Sequence, residues 1–341
     1  MIEFLKHFNN ILENRWIQLS GVLAIFFGLF ADAMSDSIFY WISFIILVIL
    51  IIIAVVEEYR ISQKMLDTIY IPLVIKIDDN TDTKYVFDSL IQKIERNYQI
   101  ENYKENVLKY LKINLEDFIF EYNGDLFDFD KLLSFSRIIS YNINKLEKNI
   151  KKEVVFHIAY YRRPAIAFMF GVIFRTKGVV VYQNNDGGQT FEKVVEVNDR
   201  KYKERVEEFE KYEIKEQVSN KKELLLVINS ASHNVDINAP SLKKYKDRVI
   251  LTLKPKIIDN KKISGTIPYN EDWSLYAREI YTIIHNYRLK YQKIIIAHSM
   301  PEALAFLVGM GIENYWNIEI TQYHKNDYKF IYNMQNVIFY F

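Results

Sequence analysis

The chain has 341 residues, of which 50% are hydrophobic and 15% aromatic, so it has the means to bury a sizeable core. With 44 Lys and Arg against 43 Asp and Glu, it lacks the broad positive field of a protein that coats long nucleic acid, although a local patch for a small anion remains open. The absence of cysteine excludes disulfide scaffolds, thiolate nucleophiles and Cys-ligated zinc or iron-sulfur sites.

Two apolar stretches near the N-terminus predict a transmembrane hairpin within an N-terminal segment of residues 1–62. The first stretch is at about 16–34 and the second at about 37–56. A membrane span needs about 20 apolar residues, with about 17 as the lower limit, so the second stretch satisfies the rule and the first is borderline. The loop between them holds Asp but no Lys or Arg, whereas basic residues flank the hairpin, so both termini are predicted to be cytoplasmic.

Other interpretations of these stretches remain open. Either could be a buried core helix, and the Ala31-Asp32-Ala33 triplet also has the form of a signal-peptide cleavage site. Small residues recur in the first stretch at spacings of three and four, on one helical face: Gly21, Ala24, Gly28 and Ala31. That face suits close packing within the hairpin and packing between subunits equally well.

Residues 63–341 are predicted to form an α/β domain that begins with a first half at about 69–197. Its apolar runs alternate with amphipathic stretches, which is typical of βαβ units and a mainly parallel sheet. The predicted strands are 69–77, 117–122, 153–159 and 179–183. The predicted helices are 84–97, 104–111, 130–148 and 164–174.

The same order recurs in a second half at about 223–341, which predicts an internal repeat. The predicted strands are 223–229, 248–253, 293–297 and 317–322, and the long helices are 272–290 and 301–310. Aligning Ala167-Phe168 with Ala305-Phe306 also aligns Gly171 with Gly309. Two similar Rossmann-like halves, each closed by a β-hairpin, are the simplest explanation.

A charged connector at 198–222 separates the two halves. Its composition predicts a solvated helix with a charged outer face.

Polar loops follow the predicted strands in both halves and predict a ligand site. In open α/β sheets ligands bind at the carboxyl ends of the strands, where helix N-termini supply free N–H groups. The candidate residues in these loops and the adjoining hairpins are Tyr160, Tyr161, Arg162, Arg163, Pro164, Tyr182, Gln183, Asn229, Ser230, Ser232, His298, Ser299, Met300, Pro301, Gln322 and Tyr323.

These residue types suit a ligand that combines phosphate with a nucleobase. A helix N-terminus with an adjacent Arg favours phosphate, the Tyr rings could stack on bases, and Gln or Asn side chains could read base edges. A solvated surface pair is an equally good interpretation of Arg162 and Arg163. For His157, inside an apolar strand, a satisfied core histidine is favoured over a ligand contact.

Catalytic and metal motifs are missing from the sequence. The pairs Ser299–His298 and Ser232–His233 are sequence neighbours and define no triad, and there is no G-x-S-x-G elbow. The six histidines form no metal-ligand spacing, and neither G-x-x-x-x-G-K-[ST] nor G-x-G-x-x-G occurs. We therefore expect a sensor without a catalytic residue, metal or cofactor.

The C-terminal segment IIIAHSMPEALAFLVGMGIENYWNIEITQYHKNDYKFIY resembles the signature of SAVED domains. FHIAYYRRPAIAFMFGVIF with VVVYQ resembles its partner in the first half. SAVED domains are similar to two fused CARF-like Rossmann units, which agrees with the repeat. The resemblance covers residue 69 to the C-terminus.

Together with two membrane helices, the chain resembles the transmembrane SAVED effectors of CBASS antiphage systems. The resemblance implies a cyclic di-, tri- or tetranucleotide ligand, a homo-oligomer formed by stacked SAVED domains, and disruption of the bacterial inner membrane as a two-pass protein. It carries ligand contacts over to Tyr161, Arg162, Arg163, Tyr182, His298, Ser299, Gln322 and Tyr323. The loop of the first half reads Tyr-Arg-Arg where the equivalent loop of the second half reads His-Ser-Met. The two halves therefore differ, and the ligand need not be symmetric.

Three other functions fit the same sequence. A CARF-type sensor in a type III CRISPR system would have this architecture and bind a cyclic oligoadenylate. A membrane-tethered ring nuclease would degrade such a signal, and a membrane adaptor would bind no small ligand.

Overall fold

The computed structural model describes residues 68–77, 82–109, 112–150, 152–184, 191–197, 203–219, 222–258, 261–263 and 266–338, with isolated helical residues between positions 41 and 56. The chain divides into two compact units. One comprises Met1–Asp67 with Glu101–Ile113, and the other comprises Thr68–Ile100 with Asn114–Phe341.

The first unit contains exposed apolar helical residues and a short π-helix at Lys104–Lys109, where the sequence predicts an ordinary helix. Trp41 is 68% exposed and Ile52 is 55% exposed. Within the described part of the chain, no helix has the length and apolar character needed to cross a membrane. The predicted span 16–34, its small-residue face and half of 37–56 lie outside the described residues.

The second unit begins with a five-stranded sheet. Its elements are β1 (Thr68–Ile77), α1 (Thr83–Tyr98), β2 (Ile119–Tyr122), α2 (Phe129–Asn149), β3 (Glu153–Tyr161), α3 (Pro164–Phe174), β4 (Gly178–Asn184) and β5 (Phe191–Val197). The strand order is β2-β1-β3-β4-β5, and only β5 is antiparallel to its neighbour. Nearly every residue of β3 is buried, as expected for a central parallel strand.

A six-stranded sheet follows. Its elements are β6 (Tyr212–Gln217), β7 (Glu223–Asn229), β8 (Arg248–Leu253), α4 (Trp273–Tyr287), β11 (Lys293–Ser299), α5 (Glu302–Gly311), β12 (Ile318–His324) and β13 (Asp327–Asn333), with a separate hairpin of β9 (Lys256–Ile258) and β10 (Lys261–Ile263) between β8 and α4. The strand order is β13-β12-β11-β7-β8-β6.

The prediction of two similar α/β halves is confirmed by the topology. Read from β8, the second sheet runs β8-β7-β11-β12-β13, which repeats the order and strand directions of β2-β1-β3-β4-β5. The register also repeats, since Ile158 pairs with Val181 and Ile296 pairs with Ile320. Both hairpins are irregular directly after that pair, so Gln183 and Gln322 occupy equivalent positions.

Helices α3 and α5 cross at two glycines. A Cβ on Gly171 would lie 2.2 Å from Phe306 O, and a Cβ on Gly309 would lie 2.3 Å from Phe168 O. These are the residues aligned by the sequence repeat, so the two halves pack through equivalent contacts. Only glycine allows the two backbones to approach this closely.

The prediction of a helix in the charged connector is wrong for Tyr212–Gln217, which form strand β6 at the edge of the second sheet. The fully buried Glu279 of α4 explains the difference. Its Oε1 accepts from Glu210 N at 2.8 Å and from Lys211 N at 2.9 Å, and its Oε2 accepts from Tyr212 N at 3.0 Å. These bonds hold the start of β6 against α4, and sequence periodicity does not reveal them.

We expect Glu279→Gln to lower the free energy of unfolding by about 3 kcal/mol, because the amide NH2 would face a buried backbone N–H donor. Urea unfolding of the full chain measures this change. Glu208→Gln, at an exposed position, is the matched control and should stay within about 0.5 kcal/mol of the wild type. A loss below about 1 kcal/mol for Glu279→Gln would contradict this account of the connector.

Candidate ligand site

The carboxyl ends of β7 and β11 are joined by hydrogen bonds where the strands pass into loops. Ser230 N donates to Ser299 O at 2.9 Å, and the buried Ser230 hydroxyl lies 2.7 Å from the Tyr212 hydroxyl. Asn229 Oδ1 accepts from Val235 N at 2.8 Å. Asn229 and Ser230 therefore hold the following loop in place, whereas Ser232 in that loop is exposed.

The side chains of His298 and Ser299 are buried at the end of β11, and their polar atoms have no hydrogen-bond partners among the described residues. His298 is 9% exposed and Ser299 is 5% exposed, and neither ring nitrogen of His298 nor Ser299 Oγ has a partner in the described structure. The His298 ring packs edge-on against Phe168 of α3, with 5.3 Å between centroids. Because buried polar atoms are nearly always satisfied, these atoms are available to a bound ligand or water.

Burial lowers the pKa of His298 to about 3, so its imidazole is neutral at pH 7 and offers one donor and one acceptor. Burial, with a smaller effect of the Lys193 charge, lowers the pKa of His157 to about 3 as well. His157 Nδ1 lies 2.9 Å from the Tyr182 hydroxyl. The complete burial of His157 fits a core histidine, but its Nε2 has no partner among the described residues, so it is only half satisfied.

We expect stability to fall as the pH drops from about 6.5 towards 3. Over that range the unfolded chain protonates His157 and His298 while the folded chain does not, and each adds a slope of about 1.4 kcal/mol per pH unit. Urea unfolding should give a shallower slope for His298→Gln than for the wild type. His233→Gln, at an exposed position, is the control. An unchanged slope in His298→Gln would contradict a lowered pKa of His298 in the folded chain.

Gln183 does not present a free amide to a ligand. Its Oε1 accepts from Ala303 N at 3.0 Å and its Nε2 donates to Glu302 Oε2 at 2.9 Å. The side chain from the first half thus caps helix α5 of the second half. Gln183 thus joins the two halves, and its contact with a base edge stays a prediction.

Gln322, at the equivalent position of the second half, differs from Gln183. Its Nε2 donates to Tyr323 O at 3.3 Å, and its buried Oε1 has no partner within the described residues. Tyr323 is 49% exposed and its hydroxyl donates to Asn326 Oδ1 at 3.1 Å. Gln322 and Tyr323 therefore remain candidates for contact with a ligand.

The tyrosines predicted to stack on bases are core residues in this conformation. Tyr160, Tyr161 and Tyr182 are each 1% exposed. The Tyr160 hydroxyl donates to Arg163 O at 3.1 Å, and the ring of Tyr161 packs edge-on against Phe191. These rings are buried because both faces of a central parallel sheet are covered, and their stacking on bases stays a prediction.

Arg162 and Arg163 have an uncommon backbone. Both have φ of 58°, in the left-handed region that costs a non-glycine residue about 1 kcal/mol or more. Arg162 is exposed and Arg163 is half-buried, directly before Pro164 at the start of α3. Strain of this kind is concentrated at functional sites, and here it occurs at two basic residues directly before a helix N-terminus.

Pro301 is the N-cap of α5, and Met300 before it is buried. Two charged residues near the strand ends and helix starts were not among the candidates predicted from the sequence. Glu302 follows Pro301 in the first turn of α5, a position that favours acids. Lys76 is 7% exposed near the end of β1 and lies 3.1 Å from Glu121 Oε2, and its occurrence in an apolar run was the available signal.

The junction of the two halves thus brings together some predicted residues and excludes others. His298, Ser299 and Gln322 supply polar atoms without partners, and Arg162 with Arg163 supplies positive charge beside a helix start. Such a set suits a ligand with both polar planar and anionic groups. No group of three or more metal-ligating side chains occurs among the residues that the structure describes.

Residues 139–335 match the family model of the SAVED domain. The description of this family is "SMODS-associated and fused to various effectors sensor domain". No curated protein matches the chain.

Solved structures of the Cap4 SAVED/CARF-domain containing receptor are also similar. The Acinetobacter baumannii receptor with the cyclic trinucleotide 2'3'3'-cAAA has 14% identity and a TM-score of 0.47, covering 85% of this chain and 56% of the receptor. The Moraxella osloensis receptor has 13% identity and a TM-score of 0.38, covering 61% and 42%. This chain therefore spans about half the length of these receptors.

Proposed function

Because the chain belongs to the SAVED family of sensor domains, we propose that it is a receptor for a cyclic oligonucleotide signal in antiviral defence of the CBASS type. The ligand is a cyclic di-, tri- or tetranucleotide bound where the two halves meet. The buried polar atoms of His298 and Ser299, which have no partners at the end of β11, support this proposal most directly. The Acinetobacter baumannii Cap4 receptor, of the same family, was solved with cyclic trinucleotides.

Binding of a ring panel to the full chain tests this function. A ligand that binds only the folded state raises the unfolding temperature by mass action. We expect a saturable rise with one ring size and no rise with the matching linear oligonucleotide. The absence of a rise with every cyclic di-, tri- and tetranucleotide would overturn the proposal and favour a membrane adaptor.

We also propose that the N-terminal segment anchors the protein in the bacterial inner membrane as a two-pass hairpin with both termini in the cytoplasm. The apolar sequence of 16–34 and 37–56 supports this proposal, as do the exposed apolar side chains of helical residues such as Trp41 and Ile52. Ligand binding would favour a homo-oligomer of stacked sensor domains, which clusters the hairpins until the bilayer leaks. The effect is limited to the preference of the ligand for the assembled state.

We expect Gly28→Leu to lower ligand-induced leakage from proteoliposomes at least tenfold while leaving ligand affinity unchanged. A bulky side chain on the face of Gly21, Ala24, Gly28 and Ala31 prevents close helix packing. Phe26→Leu, off that face, is the control. Unimpaired leakage in Gly28→Leu would contradict clustering through this face.

We propose that the protein works without catalysis, metal or cofactor. The missing catalytic motifs support this proposal. Chromatography of the ring after long incubation with the protein should recover it intact. A linear product would instead indicate a ring nuclease.

A further inference from the structure

The two helices that begin at the junction carry opposite charges at their starts. Arg162 and Arg163 directly precede α3, whose first turn has no acidic residue. The equivalent helix α5 has Glu302 in its first turn. Since phosphate is favoured by positive charge at a helix start, a ligand in this junction meets a phosphate-binding end in one half and an acceptor in the other.

The carboxylate of Glu302 is held in one orientation. Its Oε2 accepts from Gln183 Nε2 at 2.9 Å, and Gln183 is itself fixed by accepting from Ala303 N. In the described part of the chain, Oε1 of Glu302 has no hydrogen-bond partner and the carboxylate has no ion-pair partner. The charge of Glu302 adds to burial in raising the pKa of Tyr160, so it acts on the core of the first half.

The residues just before Glu302 provide an independent sign of a ligand. Both ring nitrogens of His298 and Oγ of Ser299 are buried without partners, and Gln322 Oε1 on the next strand is in the same condition. His298 and Ser299 lie four and three residues before Glu302, at the end of the strand that leads into α5. Unpartnered donors and acceptors this close in the chain to a carboxylate suit the hydrogen-bonding edge of a nucleobase better than they suit a phosphate.

We propose that Glu302 selects the base of the ring, by accepting a hydrogen bond from the exocyclic amino group of adenine, cytosine or guanine and rejecting uracil. This inference rests on the proposed function and adds a division of labour between the halves. Arg162 and Arg163 face the phosphates, and the Glu302 end faces a base. Uracil has only carbonyl oxygens at the exocyclic positions, and these repel a carboxylate.

Calorimetry on the full chain with rings that differ only in base tests this selection. Cyclic tri-adenylate and cyclic tri-uridylate of one linkage are compared, with the di- and tetranucleotide rings measured in the same way. We expect the wild type to bind the adenine ring at least tenfold more tightly than the uracil ring. Glu302→Gln should reduce that ratio to below threefold, because a glutamine amide can donate to the uracil carbonyl.

Two further variants keep this test decisive. Glu207→Gln, an exposed site with the same charge change, should leave the ratio unchanged. Glu302→Asp keeps the charge but withdraws it by one methylene, so it should weaken the adenine ring and still reject uracil, even if Glu302→Gln is poorly folded.

The outcomes separate the two proposals. An unchanged adenine-to-uracil ratio in folded Glu302→Gln, or a wild type that prefers uracil, would overturn base selection by Glu302 and leave the receptor function standing. Failure of the wild type to bind any ring would overturn the receptor function and this inference with it.

Discussion

Replacing Gly309 with alanine is expected to lower the free energy of unfolding by about 3 kcal/mol and the unfolding temperature by about 10 °C. The new Cβ would lie 2.3 Å from Phe168 O and 2.7 Å from Phe168 Cα, which are backbone atoms that cannot move aside alone. Helices α3 and α5 would have to separate. Gly171→Ala should behave alike, since its Cβ would lie 2.2 Å from Phe306 O.

The sign of this effect distinguishes the crossing from ordinary helix propensity. In an open helix, alanine is about 1 kcal/mol more favourable than glycine, so without the crossing both variants would be more stable than the wild type. Gly178→Ala is the control, because its nearest contact is the Val155 Cγ2 methyl group at 3.0 Å. Thermal unfolding of the three variants distinguishes a close helix crossing from helix propensity alone. A stabilised Gly309→Ala would show that the backbones of α3 and α5 do not approach this closely.

Removing the charges before α3 is expected to weaken ring binding at least hundredfold. Arg162→Asn with Arg163→Asn removes two charge-assisted contacts to phosphate, each worth about 1.5 to 3 kcal/mol. Asparagine tolerates the left-handed φ of both positions, so the loop should keep its backbone. The bonds from Tyr160 Oη and Ile166 N to Arg163 O involve the main chain and remain.

Calorimetry with the ring that binds the wild type measures this loss. Lys244→Asn with Lys246→Asn is the matched control, because this double substitution removes the same net charge. These lysines line a cleft of about 700 Å³ at the amino ends of β7 and β11, at the opposite ends of the strands. We expect the control to bind within about threefold of the wild type. Equal losses in both double variants would indicate a general charge effect and contradict a local phosphate site.

The fold was largely predictable because its signal is local and repeated. Each half has apolar strand runs of the right length, and the shared residues around Phe168 and Phe306 reveal the repeat. Those same residues form the crossing of α3 and α5, so the repeat is visible where the two halves pack. The connector was not predictable, because strand β6 depends on the buried carboxylate of Glu279 far along the chain.

The position of the candidate site in the fold could be predicted from the sequence, and the contacts of its residues could not. The rule for strand ends in α/β sheets placed candidates at the start of α3 and α5. It could not show that Gln183 caps α5 or that Tyr160 and Tyr182 are buried, since these depend on how the halves pack. The left-handed conformation of Arg162 and Arg163 is likewise set by the loop geometry and has no sequence signature.

The most direct test of a receptor that binds one ring across two unlike halves is the stoichiometry of calorimetric titration on the full chain. We expect one ring per chain, with affinity lost both in the Arg162 and Arg163 variant and in His298→Leu, which alters the other half. Two rings per chain, or full affinity after either change, would contradict a single site built from both halves.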